Sequence, residues 1–329
     1  MVATSTKKRS ALLWAVPTAV LCGAGIATQA RINGALGAQL DDGFAAAFIS
    51  FGSGLLILLI ALIFWKPGQT GLATVRKSIG DKKIPWWYAF GGAAGALLVL
   101  SQGLTSAVLG VALFSIGVVS GQTISGVLID RAGLGTMTPR PITLQRVLGA
   151  LLALGAVALA GSSQLHAGPQ LWLYLLPFVS GLGIAWQQAV NGQIRIVSGS
   201  VLTASVINFV VGTTVLGIGF AIHTAVAGLP QALPAEPVLY LGGVVGVTFI
   251  ALAAVLVSVT GVLLLALGTI SGQLLMSLVL DLVIPVAGHD VQWTTYVGIV
   301  LALCAVVIVA LSARAPSRDR TAADAASRA

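Results

Sequence analysis

Gly23-Ala-Gly-Ile-Ala-Thr-Gln-Ala-Arg-Ile-Asn-Gly34 is answered 158 residues later by Gly181-Leu-Gly-Ile-Ala-Trp-Gln-Gln-Ala-Val-Asn-Gly192. Continued without gaps to Gly54 and Gly212, the alignment keeps Ala46/Ala204, Ile49/Ile207 and Phe51/Phe209, giving 11 identities over 32 positions. A second block repeats at an offset of 151: Gly110, Gly117, Ser120-Gly121-Gln122 and Asp130 match Gly261, Gly268, Ser271-Gly272-Gln273 and Asp281. The register change falls where one copy has the basic stretch 66–85, read as a loop, and the other the shorter 223–237. Insertions belong in connections. The chain is therefore an internal duplication, and its fold reduces to one half and the way two halves meet.

Each half is built for a bilayer. Of 329 residues, 57% are hydrophobic and 8% charged, with a mean hydropathy of +1.01; a soluble domain carries about 25% charged residues. Apolar segments fall near 11–30, 43–65, 86–107, 109–129, 142–162, 171–190, 200–222, 238–258, 260–285 and 293–313. Crossing a bilayer takes about 20 residues, so ten transmembrane helices are expected. The first segment is read as a structural helix and not a cleaved signal. Leu21 stands where a lipoprotein-type site at Cys22 needs a small residue, and the segment recurs in the second half.

The net charge of +8 encodes topology. Cytoplasmic connections collect Lys and Arg, and ten spans starting inside place every Lys and Arg except Arg31 on the inner side. One missed span would reverse every later connection. Asp41, Asp42, His166, His223, Glu236, His289 and Asp290 then lie outside. This predicts a multi-pass protein of the inner or plasma membrane with both termini cytoplasmic. Its parts are a cytoplasmic end 1–10, a first five-helix repeat 11–165, a second repeat 166–313 and a disordered cytoplasmic tail 314–329. Five spans per repeat is odd, so equivalent helices must cross in opposite directions. The expected fold is all-α, ten transmembrane helices in two inverted five-helix repeats. Inverted repeats are the architecture of secondary transporters, with the substrate near the midplane between halves.

The polar residues inside spans are the candidates for chemistry. Gly25, Gln29 and Asn33 share one helix face, as do Gly183, Gln187 and Asn191, with Pro17 and Pro177 interrupting the same helices earlier. Gln29 and Gln187 fit two roles, hydrogen-bonded packing between helices and lining of a pathway. Asn33 and Asn191 are expected near helix ends, as caps. Gln122 and Gln273, beside small-xxx-small pairs, are expected to line a central cavity; Gln102, Gln188, Asn208 and Ser50 are weaker candidates. Asp130, next to Arg131 at a cytoplasmic helix end, fits a solvated ion pair better than a coupling site, and Asp281, more deeply flanked by apolar residues but close to a helix end, is a candidate to carry a coupling proton if buried.

No catalytic constellation, metal spacing or nucleotide fingerprint is present, and neither a cofactor nor nucleic-acid binding is expected. The partners expected are the lipid bilayer and a small-molecule substrate, and a homodimer is compatible with the chain. The two Gly-Ile-Ala-x-Gln-x-x-x-Asn-Gly motifs, the Ile-Ser-Phe-x-x-Gly and Ile-Asn-Phe-x-x-Gly that follow, and the paired Ser-Gly-Gln motifs resemble the YdcZ-like branch of the drug/metabolite transporter superfamily over residues 12–312. The resemblance implies an alternating-access exporter of a small metabolite or drug-like compound, without assigning its substrate. The competing reading is a membrane scaffold, sensor or accessory subunit, with halves packed and no cavity between them.

Overall fold

Apolar segments of this length must satisfy their backbone N–H and C=O groups internally, and helices do so. The structure, a computed structural model, describes the backbone of residues 2–134, 142–162, 172–285 and 291–312, and the side chains of all these except 2–13, 253–255, 257–264 and 311–312. The helices are α1 (Val2–Leu40), α2 (Gly43–Phe64), α3 (Lys66–Gly80), α4 (Gly91–Leu109), α5 (Val111–Ala132), α6 (Leu144–Ser162), α7 (Trp172–Ser198), α8 (Val201–Ala227), α9 (Gly242–Val283) and α10 (Trp293–Ser312). Eight described stretches are long and apolar enough to cross a membrane, and Gly242–Leu252 is a shorter apolar one. His166, His289, Asp290 and the tail 314–329 lie outside the described residues.

Three boundaries differ from the sequence reading. The basic stretch 66–85 is not a loop throughout: Pro67 starts α3 within its first turn. The helix then buries Gly68, Gly71, Val75 and Ser78 against the α7–α8 turn, where Thr203 Oγ1 donates to the Gly68 carbonyl at 2.9 Å. The first span, read as 11–30, is part of a helix running from Val2 to Leu40. The segments 238–258 and 260–285 fall largely within one helical element, α9.

Contacts with α1 reveal how α9 is arranged. Gly242 abuts Asn33, Gly246 abuts Gln29 and Gly25 faces Phe249, so Gly242–Leu252 runs antiparallel to α1. Gly268 abuts Ala19, Gly272 abuts Val20, Gly23 abuts Gln273, and Leu280 packs with Ala27 and Ala30, so Leu265–Val283 runs parallel to it. At 1.5 Å per residue a straight helix would put Gly242 and Gly272 about 45 Å apart, whereas Asn33 and Val20 are about 20 Å apart on α1. The two limbs of α9 therefore meet α1 in opposite senses, with Gly261, the repeat partner of Gly110, between them in the sequence. Gly110 itself separates α4 from α5 with φ +81, a conformation that suits only glycine.

The two halves meet reciprocally. Gly23 presses on the backbone of Thr269 and Gln273, and Gly181 presses on that of Val118 and Gln122. Gly272 meets Val20 while Gly121 meets Phe178; Gly243 meets Ser50 while Gly92 meets Asn208; Gly54 meets Phe209 while Gly212 meets Phe51. Each of these four contacts recurs with the repeat partners exchanged, the pattern of an isologous interface about a two-fold axis. The turns obey it even where identities differ: Asp41 (φ 49) precedes the α2 cap Asp42, and Gly199 (φ 65) precedes the α8 cap Ser200. The free Asp42 oxygen faces His223 Nδ1 at 3.3 Å, joining the start of α2 to the end of α8. The largest apolar cluster lies among α5, α6, α9 and α10.

Close approach of backbones makes these glycines irreplaceable. Gly121→Ala and Gly272→Ala each place a methyl against a neighbouring carbonyl and are expected to lower stability by about 1–3 kcal/mol. Gly126→Ala and Gly155→Ala meet open space and should be neutral or stabilising by up to about 1 kcal/mol. Thermal unfolding of the four variants in one detergent makes the comparison, and equal midpoints would contradict the close packing of the halves.

Candidate functional site

Asn33 and Asn191 are not caps. Each lies seven residues before its helix ends, because α1 continues to Leu40 and α7 to Ser198, so both amides are held inside the bundle. Asn33 Nδ2 donates to Gln102 Oε1 at 2.7 Å, and Gln29 Nε2 donates to the Gly242 carbonyl at 2.8 Å. Ser50 Oγ and Asn33 Oδ1 both crowd Gly242. Four expected residues, Gln29, Asn33, Ser50 and Gln102, are thus brought together, each at most 5% exposed. Asn33 Oδ1, Ser50 Oγ and Gln102 Nε2 are buried without a hydrogen-bond partner.

The repeat partners of Gln29, Asn33 and Ser50 form a second cluster in a different state, without a counterpart of Gln102, whose repeat position is Ala253. Gln187 Nε2 and Asn191 Nδ2 both donate to Asn208 Oδ1, at 2.8 and 2.9 Å. Gln187 and Asn191 are only half-buried. Asn191 lies against Gly91 and Gln187 against Gly95, mirroring Asn33 on Gly242 and Gln29 on Gly246.

What seals the first cluster is the contact of α1 with α4. Ser106 Oγ donates to the Ala30 carbonyl at 2.7 Å, Gly34 abuts Ser106, and Gly37 and Gly43 abut Gly103. Around the second cluster these contacts have no counterpart among the described residues: Gly192, the partner of Gly34, has none of them within 4 Å of a would-be side chain. Among the described residues α8 scarcely touches α9, although α2 packs closely on α4. A cleft of about 450 Å³ fills that gap. Its walls are Leu58, Trp65 and Pro67 from the α2–α3 junction, Gly199 to Leu202, Ser205 and Phe209 of α8, and Val247, Ile250 and Ala251 of α9.

Between the clusters, Phe51 and Phe209 stack with ring centroids 4.7 Å apart. Phe51 and Gln187 both face Gly95, while Phe209 lines the cleft. Neither ring stood out as functional among the candidate polar residues. The signal was their place in the repeat, each directly following Ser50 or Asn208.

The remaining expected residues are elsewhere. Gln273 is buried with Nε2 unpaired, Gln122 is half-buried, and their backbones pack on Gly23 and Gly181. Gln188 is exposed. Asp281 accepts from the Val111 and Ala112 amides at 2.8 and 2.7 Å, so the second half supplies the N-terminal cap of α5, and both carboxylate oxygens are engaged. Asp130 pairs with Arg146 Nη2 of α6 at 3.0 Å, and that Arg146 is 2% exposed. In place of the solvated pair expected beside Arg131, Asp130 thus makes a partly buried one with Arg146. Among the described residues no three metal-binding side chains gather.

The family model described as "Putative inner membrane exporter, YdcZ" matches residues 14–159 and 172–308, once per half. Among solved structures, one titled "Crystal structure of protein" superposes with a TM-score of 0.54 over 94% of this chain and 100% of that one, at 16% identity. That likeness is one of fold. No curated protein matches the sequence.

The sealed cluster carries an energetic signature. An unpaired buried polar group costs about 1–3 kcal/mol, whereas removing both partners of a pair is nearly neutral. Gln102→Leu alone strands the Asn33 amide and should lower stability by about 1–3 kcal/mol; Asn33→Leu/Gln102→Leu should cost less than the two single changes summed. Chemical denaturation of the three variants checks this, and strict additivity would mean the amides do not act together.

Proposed function

The chain belongs to the YdcZ family of inner membrane exporters, and on that premise we propose a secondary transporter that exports a small metabolite or drug-like compound by alternating access. One observation carries the mechanism: related amide clusters occur in the two halves, Gln29, Asn33, Ser50 and Gln102 buried in one, Gln187 and Asn191 half-buried on Asn208 in the other. Two halves related by duplication would exchange these arrangements in transport, opening the Asn33 cluster while closing the Asn191 cluster. Burial of three unpaired polar atoms keeps the sealed arrangement from becoming too stable.

The reading places ten spans in two inverted repeats. The opposite senses in which the two limbs of α9 meet α1 support the count, and an odd number of spans per half turns the reciprocal interface into an inversion across the bilayer. The distribution of Lys and Arg supports cytoplasmic termini. On that orientation the cleft opens inward and the α1–α4 seal faces out. A scaffold would need no cavity beside its polar cluster, which counts against that alternative.

Coupling to protons would fall to Asp281 or Asp130. Asp281 is tied by two backbone donors to α5, an arrangement that suits positioning better than proton exchange. Asp281→Asn keeps one cap acceptor and is expected to preserve any gradient dependence of flux while lowering stability by about 1 kcal/mol. Loss of gradient dependence with unchanged stability would reassign it as the coupling acid.

Two single-cysteine proteins, in a background with Cys22 and Cys304 replaced by Ala, test the access state. Ser205→Cys, on the cleft, should react with a membrane-impermeant maleimide from the cytoplasmic side. Ser106→Cys, in the seal, should react from outside only, slowly, and faster during substrate turnover. Reaction of Ser106→Cys at a rate indifferent to every solute in a broad efflux screen would sink alternating access.

A further inference from the structure

Phe51 and Phe209 are repeat partners that touch each other, so their stack lies on the pseudo-two-fold axis of the molecule. Each ring fits only because the facing helix has a glycine: Gly212 receives Phe51 and Gly54 receives Phe209. Both rings are about 5% exposed or less. Ser50 of the sealed cluster precedes one ring and Asn208 of the open cluster precedes the other. The stack therefore adjoins both clusters.

The chemistry on either side is uniform in one respect: no Lys, Arg, Asp or Glu belongs to either amide cluster or to the cleft walls. An ion moved into such surroundings loses its hydration without gaining a counter-charge, a large penalty. Amides, in contrast, present donors and acceptors together. The cleft is of drug-sized volume and mainly apolar, and an aromatic stack offers its faces to flat apolar groups at centroid distances of about 4.5–7 Å.

Building on the carrier reading, we propose that the Phe51–Phe209 stack is both the partition of the transport route and its main apolar contact, and that the route takes uncharged amphiphiles, amide- or hydroxyl-bearing groups on an aromatic or aliphatic body. The polar head meets Gln187, Asn191 and Asn208, and the body rests on Phe209. Opening requires the two rings to part. The partition therefore holds against leakage in both access states and yields only when a ligand replaces the ring–ring contact.

Three tritiated probes of the same shape separate charge from size: N-acetyl-phenylalaninamide (neutral), phenylalaninamide (cationic) and N-acetyl-phenylalanine (anionic). Saturable binding and counterflow are measured with the full chain in nanodiscs and proteoliposomes. The neutral probe is expected to bind at least tenfold more tightly than either ion. Phe209→Ala should weaken that binding about tenfold, and Phe51→Ala/Phe209→Ala should turn saturable flux into flux linear in concentration. Phe209→Leu, which keeps apolar volume, checks folding: it should unfold near the wild-type midpoint yet bind the probe several-fold more weakly. Preference for an ion overturns the uncharged-substrate assignment while leaving the carrier reading intact. Unchanged affinity and saturation in the alanine variants overturn the partition. Binding of none of the three overturns the whole proposal, and the cysteine-accessibility experiment, which uses none of them, then decides the carrier reading separately.

Discussion

Helix backbones in direct contact across the two halves are the constraint on which this structure rests. Gly23 against Thr269, Gly181 against Val118, Gly272 against Val20 and Gly121 against Phe178 leave no room for a side chain. In lipid there is little hydrophobic force between helices, and association comes from such van der Waals contact. Because the contacts come in exchanged pairs, a single geometric solution is used twice. The same exchange of partners brings Phe51 onto Phe209.

With the backbones fixed, the polar groups divide by what can satisfy them. Helix ends are closed by residues brought from afar or nearby: Asp281 reaches α5 from the other half, and Asp42 caps α2 locally. Arg146 and Asp130 pair where burial would otherwise penalise both. The amides on α1 and α7 are different. They are satisfied only in part, and the unsatisfied atoms gather on the sealed side. A polar cluster that neither ion pairing nor backbone donors complete is where a solute or a rearrangement can gain most.

The duplicated sequence folds with unequal halves. Here the inequality is local. The glycine interfaces along the axis are matched, whereas the α1–α4 seal has no counterpart at Gly192 among the described residues. The seal is made from small residues and a few hydrogen bonds, with Gly34, Gly37 and Gly103 sliding past one another's backbones. Such surfaces can separate without exposing bulky apolar groups, which suits a gate better than an interlocked core.

The sequence alone determined the membrane class, the duplication and its register, because apolar segments of fixed length and repeated glycine spacing are properties of the chain itself. It also marked Gln29, Asn33, Gln187 and Asn191 as sharing helix faces, since that follows from 3.6 residues per turn. Helix ends escaped it: Asn33 and Asn191 looked terminal because the residues after them are less apolar, yet tertiary packing extends α1 and α7 past them. The partners escaped it too. That Asn33 meets Gln102 and not Gln187, that Asp281 caps a helix 170 positions away in sequence, and that one cluster is sealed while its copy is open depend on how helices from both halves are stacked. The repeats agree at 11 of 32 aligned positions and differ at others, Ser50 against Asn208 and Gly37 against Arg195 among them; what those differences do is decided only where helices from distant parts of the chain are packed together.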